Sequence, residues 1–200
     1  MKHENIKRMV GLALLAALVV VLQTVASGIK IGPIPISLTL VPIVIGAILY
    51  GPAAGAGLGA IFGIVTAAAG LTGADAGTQA MIAMSPFWTI ATCLVKAIAC
   101  GWAAGLVYHA LRKNQTIGCI VAAVCAPIVN TGIFVLAMMT VMRPALVAFA
   151  GGTDVIYYLF VVVTGANFLI ELAINAVLSV AISRIVQVVE KQSAKKYEEG

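Results

Sequence analysis

Charged side chains are scarce in this chain. Lys, Arg, Asp and Glu together make up 10% of its 200 residues, whereas a soluble globular domain carries about 25%. Hydrophobic residue types make up 62% of the sequence, and apolar runs close to 20 residues long recur from one end to the other. Runs of that length cross the hydrocarbon core of a bilayer as helices. The composition therefore excludes a soluble domain and predicts an integral membrane protein.

Sequence motifs of catalysis and metal binding are also missing. The chain has no GxxxxGK[ST] phosphate loop, no HExxH zinc helix and no GxSxG nucleophile elbow. Its four cysteines have spacings that match no zinc or redox motif. We therefore predict that the chain is not an enzyme and binds no metal, nucleotide or other cofactor.

The basic residues are clustered along the chain. The positive-inside rule places segments rich in Lys and Arg in the cytoplasm. The pattern therefore predicts that both termini are cytoplasmic. The net charge of +5 is explained by basic residues near lipid headgroups, so it does not indicate binding to nucleic acid. Nine of the twelve Lys and Arg residues lie at the N-terminus, in one short loop or at the C-terminus, namely Lys2, Lys7, Arg8, Arg112, Lys113, Arg184, Lys191, Lys195 and Lys196.

Glycine, proline and polar residues divide the chain into six apolar segments. The segments predict an all-α membrane protein, a six-transmembrane-helix bundle. We expect the bundle to form a single domain over 1–200. Glycine recurs every fourth residue at Gly51, Gly55 and Gly59, which favours close contact with a neighbouring helix. Polar outer loops are expected near 71–85 and 143–154. The helices are expected at about 6–27, 36–50, 52–70, 86–111, 117–142 and 155–189.

Three polar side chains, Lys96, Asn130 and Glu171, fall near the middle of long apolar segments. Counted from the expected helix ends at 1.5 Å per residue, they lie roughly 15–20 Å deep, near the midplane of a bilayer core about 30 Å thick. A charge at that depth costs roughly 2.5–3.5 kcal/mol on insertion scales. We favour a polar ligand site between helices, and a lysine there suits an anionic ligand such as a carboxylate. A structural ion pair between Lys96 and Glu171 is the alternative.

Further polar residues extend this predicted site. Asn167 and Asn175 lie four residues to either side of Glu171 and share its helical face. We expect that face to point into the bundle, because lipid would leave its polar groups unsatisfied. Thr131 and Thr92 widen the polar zone, and Asp75 and Gln79 lie in the outer loop where a ligand would enter. The candidate substrate-binding residues are Lys96, Asn130, Thr131, Asn167, Glu171, Trp88 and Gln79.

The order of these features resembles the substrate-binding subunit, or S component, of energy-coupling factor (ECF) vitamin transporters over nearly the whole chain. The segment 7–18 looks like the first helix of that family, with the small residues Ala13 and Ala17, and 42–56 looks like its second-to-third helix junction. The resemblance implies a multi-pass protein of the bacterial cell membrane. It also implies that Ala13 and Ala17 dock on a transmembrane coupling subunit, and that two partner ATPase subunits, not this chain, use ATP.

Three segments point to the substrate through the same resemblance. The segments 101–108 and 130–134 look closest to the pantothenate-type branch, whereas 32–38 resembles the biotin branch. The resemblance implies capture of a vitamin from outside, with pantothenate favoured and biotin, folate, riboflavin or a queuosine-type precursor as alternatives. Another alternative is a stand-alone carrier coupled to protons or sodium through Glu171. A structural membrane protein with no ligand is the third possibility.

Overall fold

Helices account for nearly all of the described chain. The computed structural model describes residues 2–26, 30–31, 34–35 and 38–198. A short antiparallel pair, β1 Lys30–Ile31 and β2 Ile34–Pro35, lies between the first two helices. The π-helical segment Tyr158–Gly165 joins the last two. The helices are α1 Lys2–Ala26, α2 Leu40–Tyr50, α3 Pro52–Thr72, α4 Ala76–Met84, α5 Pro86–Ala110, α6 Gln115–Met139, α7 Arg143–Ala150, α8 Val155–Tyr157 and α9 Ala166–Glu198.

Five helical segments of the described chain are long and apolar enough to cross a membrane. By contrast, α2 has 11 residues and extends about 16 Å, which is too short to span a bilayer core of about 30 Å. The helical membrane bundle is thus confirmed, although the second predicted helix is a short buried one. The cytoplasmic position of the termini stays a prediction. The five segments are Asn5–Val25, Pro52–Thr72, Pro86–Ala110, Gln115–Met139 and Val155–Val188.

Short helices occupy both regions that the sequence predicted as polar outer loops. Helix α4 lies within 71–85 and α7 lies within 143–154. Asp75 is the N-cap residue of α4. Its carboxylate accepts hydrogen bonds from the backbone N–H groups of Gly77 (3.1 Å) and Thr78 (3.4 Å). Such a cap satisfies N–H groups that have no partner inside the helix. Met81 of α4 and Leu146 of α7 belong to one buried cluster, so both helices cover the same end of the bundle.

Helices α3 and α5 are in backbone contact. A side-chain carbon at Gly55 or Gly59 would overlap the carbonyl oxygen of Gly101 or Ala97, respectively. Small residues permit this approach, which dispersion forces and weak polar contacts then stabilise in lipid. The predicted close helix contact is therefore confirmed at Gly55 and Gly59. Gly51 has another role: its φ of +95° lies in the region that favours glycine, and it turns the chain between α2 and α3.

The final helix packs antiparallel to α6. Residues of the segment 119–126 of α6 share a buried cluster with Ile182 and Val186 of α9. At the opposite end of α6, Met138 shares a cluster with Val163 of the π-helical segment. The middle of α6 therefore lies level with the first turns of α9, where the buried polar residues of that helix are found.

Candidate functional site

A cavity lies between α1, α3, α4, α5 and α6 at the end of the bundle that α4 covers. It contains about 480 Å³ of space between atoms, its open mouth included. The lining combines one cationic, one carboxylate and one amide side chain with four threonine hydroxyl groups. We call it the Lys96 cavity. The residues that line it are Gln23, Phe62, Thr66, Asp75, Thr78, Met81, Thr89, Thr92, Cys93, Lys96, Phe134 and Met142.

Lys96 supplies the positive charge of this cavity from the middle of α5. Its side chain is half-buried, and its ammonium nitrogen lies 5.3 Å from the centroid of the Phe134 ring. A cation over an aromatic face is stabilised by about 0.5–2 kcal/mol, which offsets part of the cost of a charge at this depth. The structure thus places Lys96 on the wall of a cavity. Its role in ligand binding stays a prediction.

Asp75 supplies a carboxylate to the same cavity and is 2% exposed. Besides the two N–H groups at the start of α4, it accepts a hydrogen bond from the hydroxyl of Thr78 at 2.6 Å. Asp75 and Lys96 line the same cavity, so a carboxylate and an ammonium group face one space. These hydrogen bonds fix the Asp75 carboxylate at the start of α4, on the wall of the cavity that Lys96 also lines.

Polar groups from α1 and α3 complete the lining. Gln23 is buried, and its side-chain oxygen accepts a hydrogen bond from the hydroxyl of Thr39 at 3.0 Å. The hydroxyl of Thr66 donates to the carbonyl oxygen of Phe62 at 2.9 Å, which leaves its own oxygen lone pairs available as acceptors. The cavity therefore offers a cation, a carboxylate and several uncharged hydrogen-bonding groups, a combination suited to a small polar molecule.

Sequence reasoning missed part of this lining. Thr92 was expected in the polar zone and Asp75 in the outer loop where a ligand would enter, whereas Gln23, Thr66 and Phe134 were not expected. Gln23 carried a signal, since it is an amide in the last turns of an otherwise apolar first helix. Phe134 carried none, because an aromatic residue in an apolar helix usually belongs to the core.

Asn130 of α6 and Asn167 and Glu171 of α9 lie outside the lining of the Lys96 cavity. All three are buried, with 4, 7 and 5% of their surfaces exposed, respectively. Asn130 lies midway along α6, so the antiparallel packing sets it level with the first turns of α9. Of the three residues predicted at similar depths, Lys96 is half-buried and lines the cavity, whereas Asn130 and Glu171 are buried and do not line it.

A row of buried polar residues runs along one face of α9. Every fourth residue is polar and buried, namely Asn167, Glu171, Asn175, Ser179 and Ser183. The side-chain oxygens of Asn130, Asn175 and Thr164 have no hydrogen-bond partner among the residues that the structure describes. The amide group of Asn175 donates to the backbone oxygen of Glu171 at 2.8 Å. These side-chain oxygens are hydrogen-bond acceptors to which no described residue donates. Their use by a ligand stays a prediction.

The other three predicted binding residues are less buried than Asn130, Asn167 and Glu171. Thr131 is half-buried, whereas Gln79 and Trp88 are exposed. None of the three lines the Lys96 cavity. Trp88 packs edge to face against Phe87, with ring centroids 5.2 Å apart. An exposed aromatic pair at the end of a spanning helix is typical of the lipid headgroup region. A contribution of these residues to ligand binding stays a prediction.

An apolar cavity adjoins the Lys96 cavity and contains about 320 Å³ of space between atoms, its open mouth included. Met81 and Phe134 line both cavities. The π-helical segment supplies two further lining residues, in keeping with the frequent occurrence of such segments at functional sites. The lining residues of this apolar cavity are Gly77, Met81, Phe134, Met138, Phe149, Tyr158 and Val163.

Helix α1 exposes most of its surface. Only 11% of its apolar window is buried inside the bundle, compared with 33–44% for the other four spanning segments. Ala13 and Ala17 are both exposed on it, near the exposed side chains of Leu14 and Leu18. A face of this kind contacts lipid or a further membrane protein, and Ala13 and Ala17 are free for such a contact.

Comparison with known proteins gives one match. A family model described as ECF transporter, substrate-specific component, matches residues 7–183 of the 200-residue chain. The matched region runs from α1 into α9 and includes every residue that lines the two cavities. No curated protein and no solved structure matches the chain.

Proposed function

Because the chain belongs to the family of ECF transporter substrate-specific components, we propose that it captures a small water-soluble vitamin outside the bacterial cell membrane for ATP-driven import. Components of this family work with an ECF module of energy-coupling subunits and are transporter parts rather than enzymes. The observation that carries the proposal is the Lys96 ammonium on the wall of a cavity in a multi-pass membrane bundle.

The orientation of the cavity supports capture from outside. Helix α5 runs from Pro86, near α4, to Ala110, where the basic loop with Arg112 and Lys113 follows. The lining residues of α5 lie in its first half, so the cavity is at the end away from that basic loop. With the loop in the cytoplasm, as the positive-inside rule indicates, the cavity faces the outer side.

Pantothenate is the substrate that we propose. It carries one carboxylate, which suits the ammonium of Lys96, and its hydroxyl and amide groups suit Gln23 and the threonines of the cavity. Charge-assisted hydrogen bonds between an ammonium and a carboxylate are about twice as strong as neutral ones. Biotin, folate, riboflavin and queuosine-type precursors are the competing ligands.

The test of this function is to identify the small molecule that copurifies with the detergent-solubilised protein, by mass spectrometry after denaturation. We expect pantothenate in a stoichiometric amount. Another vitamin would preserve the capture function and replace the substrate. A protein that copurifies with no vitamin, and whose unfolding temperature is unchanged by the five candidates, would contradict the proposal.

A second prediction concerns docking on the coupling module, for which we propose one transmembrane coupling subunit and two ATPase subunits. Replacing Ala13 or Ala17 with tryptophan is expected to abolish vitamin uptake in cells that express the whole module. Substrate binding by the isolated protein should stay within twofold of wild type. The reason is steric, since a bulky side chain on an exposed small-residue face prevents close helix contact without reaching the cavity.

The matched control is Ala173→Trp, because Ala173 is likewise an exposed alanine of a spanning segment, but in α9. Uptake by that variant should be close to wild type. Loss of substrate binding together with uptake in Ala13→Trp or Ala17→Trp would show that the face is needed for folding rather than for docking.

A further inference from the structure

We propose that the substrate of this site is a carboxylate with an apolar arm, and that Phe134 is the movable wall between the compartments that hold these two parts. The carboxylate binds Lys96 in the Lys96 cavity, and the arm extends past Phe134 into the apolar cavity. This inference rests on the proposed capture function and names the class of molecule captured.

The two cavities have one wall in common. Phe134 of α6 and Met81 of α4 line both of them. A methionine side chain is unbranched and adapts easily to a new neighbour. A change in the positions of these two side chains therefore joins the cavities into one elongated site without any movement of the helices.

Contact with Lys96 provides the reason for Phe134 to move when a ligand binds. The ring of Phe134 lies 5.3 Å from the ammonium and supplies a weak attraction. A carboxylate interacts with the same ammonium more strongly, because a full charge at hydrogen-bond distance replaces the quadrupole of a ring. Binding of the carboxylate thus removes the interaction that holds Phe134 over Lys96.

The apolar cavity determines what the rest of the ligand is. Its side chains are those of Met138, Phe149 and Val163, together with the shared wall, and Tyr158 contributes the one hydroxyl group in the lining. A polar arm would lose its hydrogen bonds to water there and recover few of them, whereas an apolar arm gains by leaving water. Biotin meets this requirement with the saturated carbon chain behind its carboxylate. Pantothenate meets it through the two methyl groups at the far end of its arm, whose hydroxyl and amide groups stay in the Lys96 cavity, but riboflavin has no carboxylate.

The experiment fills the apolar cavity from two directions. Val163→Phe does so from the π-helical segment, and Met138→Phe does so from α6. The matched control is Val161→Phe, since Val161 lies two residues away and is 51% exposed, whereas Val163 is 5% exposed. Calorimetric titration with pantothenate, biotin, folate and riboflavin measures the affinity, and thermal unfolding identifies variants that do not fold.

We expect wild type to bind pantothenate or biotin, and we expect Val163→Phe or Met138→Phe to weaken that binding more than tenfold while Val161→Phe changes it less than twofold. Unchanged affinity in a folded Val163→Phe or Met138→Phe protein would overturn the two-compartment proposal alone. Wild-type binding of riboflavin only would also overturn it, yet leave the capture function in place. No binding of any of the four vitamins would overturn both.

Discussion

The Lys96→Ala protein is expected to bind its vitamin more than tenfold more weakly than wild type, a loss above about 1.4 kcal/mol of binding free energy. Lys96 is the cation that lines the cavity, and an anionic substrate that leaves water needs a compensating charge. Replacement by alanine removes that charge and leaves the neighbouring threonine and glutamine groups in place. Calorimetric titration of the purified protein with pantothenate, or with whichever vitamin copurifies, measures the effect.

Folding of the Lys96→Ala protein should be unimpaired. A half-buried ammonium whose observed contact is the ring of Phe134 adds little to stability once its desolvation is included. The thermal unfolding midpoint without ligand should therefore be equal to that of wild type or higher. Lys113→Ala, which removes an exposed charge from the loop after α5, is the control for net charge and should bind normally. Equal affinities of wild type and a folded Lys96→Ala protein would refute the role of this lysine.

The Gly59→Ala protein is expected to be much less stable than wild type. Its new methyl group would overlap the backbone carbonyl oxygen of Ala97 on α5, and no side-chain rotation removes a clash with a backbone atom. Overpacking of a tight interface costs about 1–3 kcal/mol or more. Thermal unfolding in detergent should show a clearly lower midpoint. Because Ala97 is next to Lys96, the affinity of the surviving folded protein should fall as well.

Gly57 offers the matched control on the same helix. A side-chain carbon there meets no atom within 4 Å, and alanine in a helix interior is favoured over glycine by about 0.5–1 kcal/mol. Gly57→Ala should therefore be as stable as wild type or more stable. If Gly59→Ala and Gly57→Ala unfolded at the same temperature, α3 and α5 would not be in backbone contact.

Family membership followed from features that need no knowledge of helix contacts. The sequence showed the long apolar segments, the scarcity of charge and the order of small-residue motifs, and the match over residues 7–183 confirmed the family. The predicted glycine contact was confirmed at Gly55 and Gly59 because a repeat of four residues keeps small side chains on one helix face. These features depend on composition and spacing along the chain alone.

The arrangement around the site was decided by the tertiary structure. Sequence spacing predicted that Lys96, Asn130 and Glu171 lie at similar depths, yet it assigned them to one site. In the structure Lys96 lines a cavity with Asp75 and Phe134, whose lining does not include the buried Asn130 and Glu171, and a ligand site shared by all three stays a prediction. Depth follows from counting residues, but the direction of a side chain around the helix axis depends on which neighbouring helices pack against it.

The sequence by itself determined the class and the family of this protein, while the tertiary structure decided which of its polar residues share a cavity. The physical reason is the solvent. In water, an apolar stripe marks the face of a helix that packs inward, but lipid is as apolar as the protein interior. Lipid-facing and buried faces of these helices are therefore built from the same residue types, so a residue such as Phe134 shows its position only after the helices have packed.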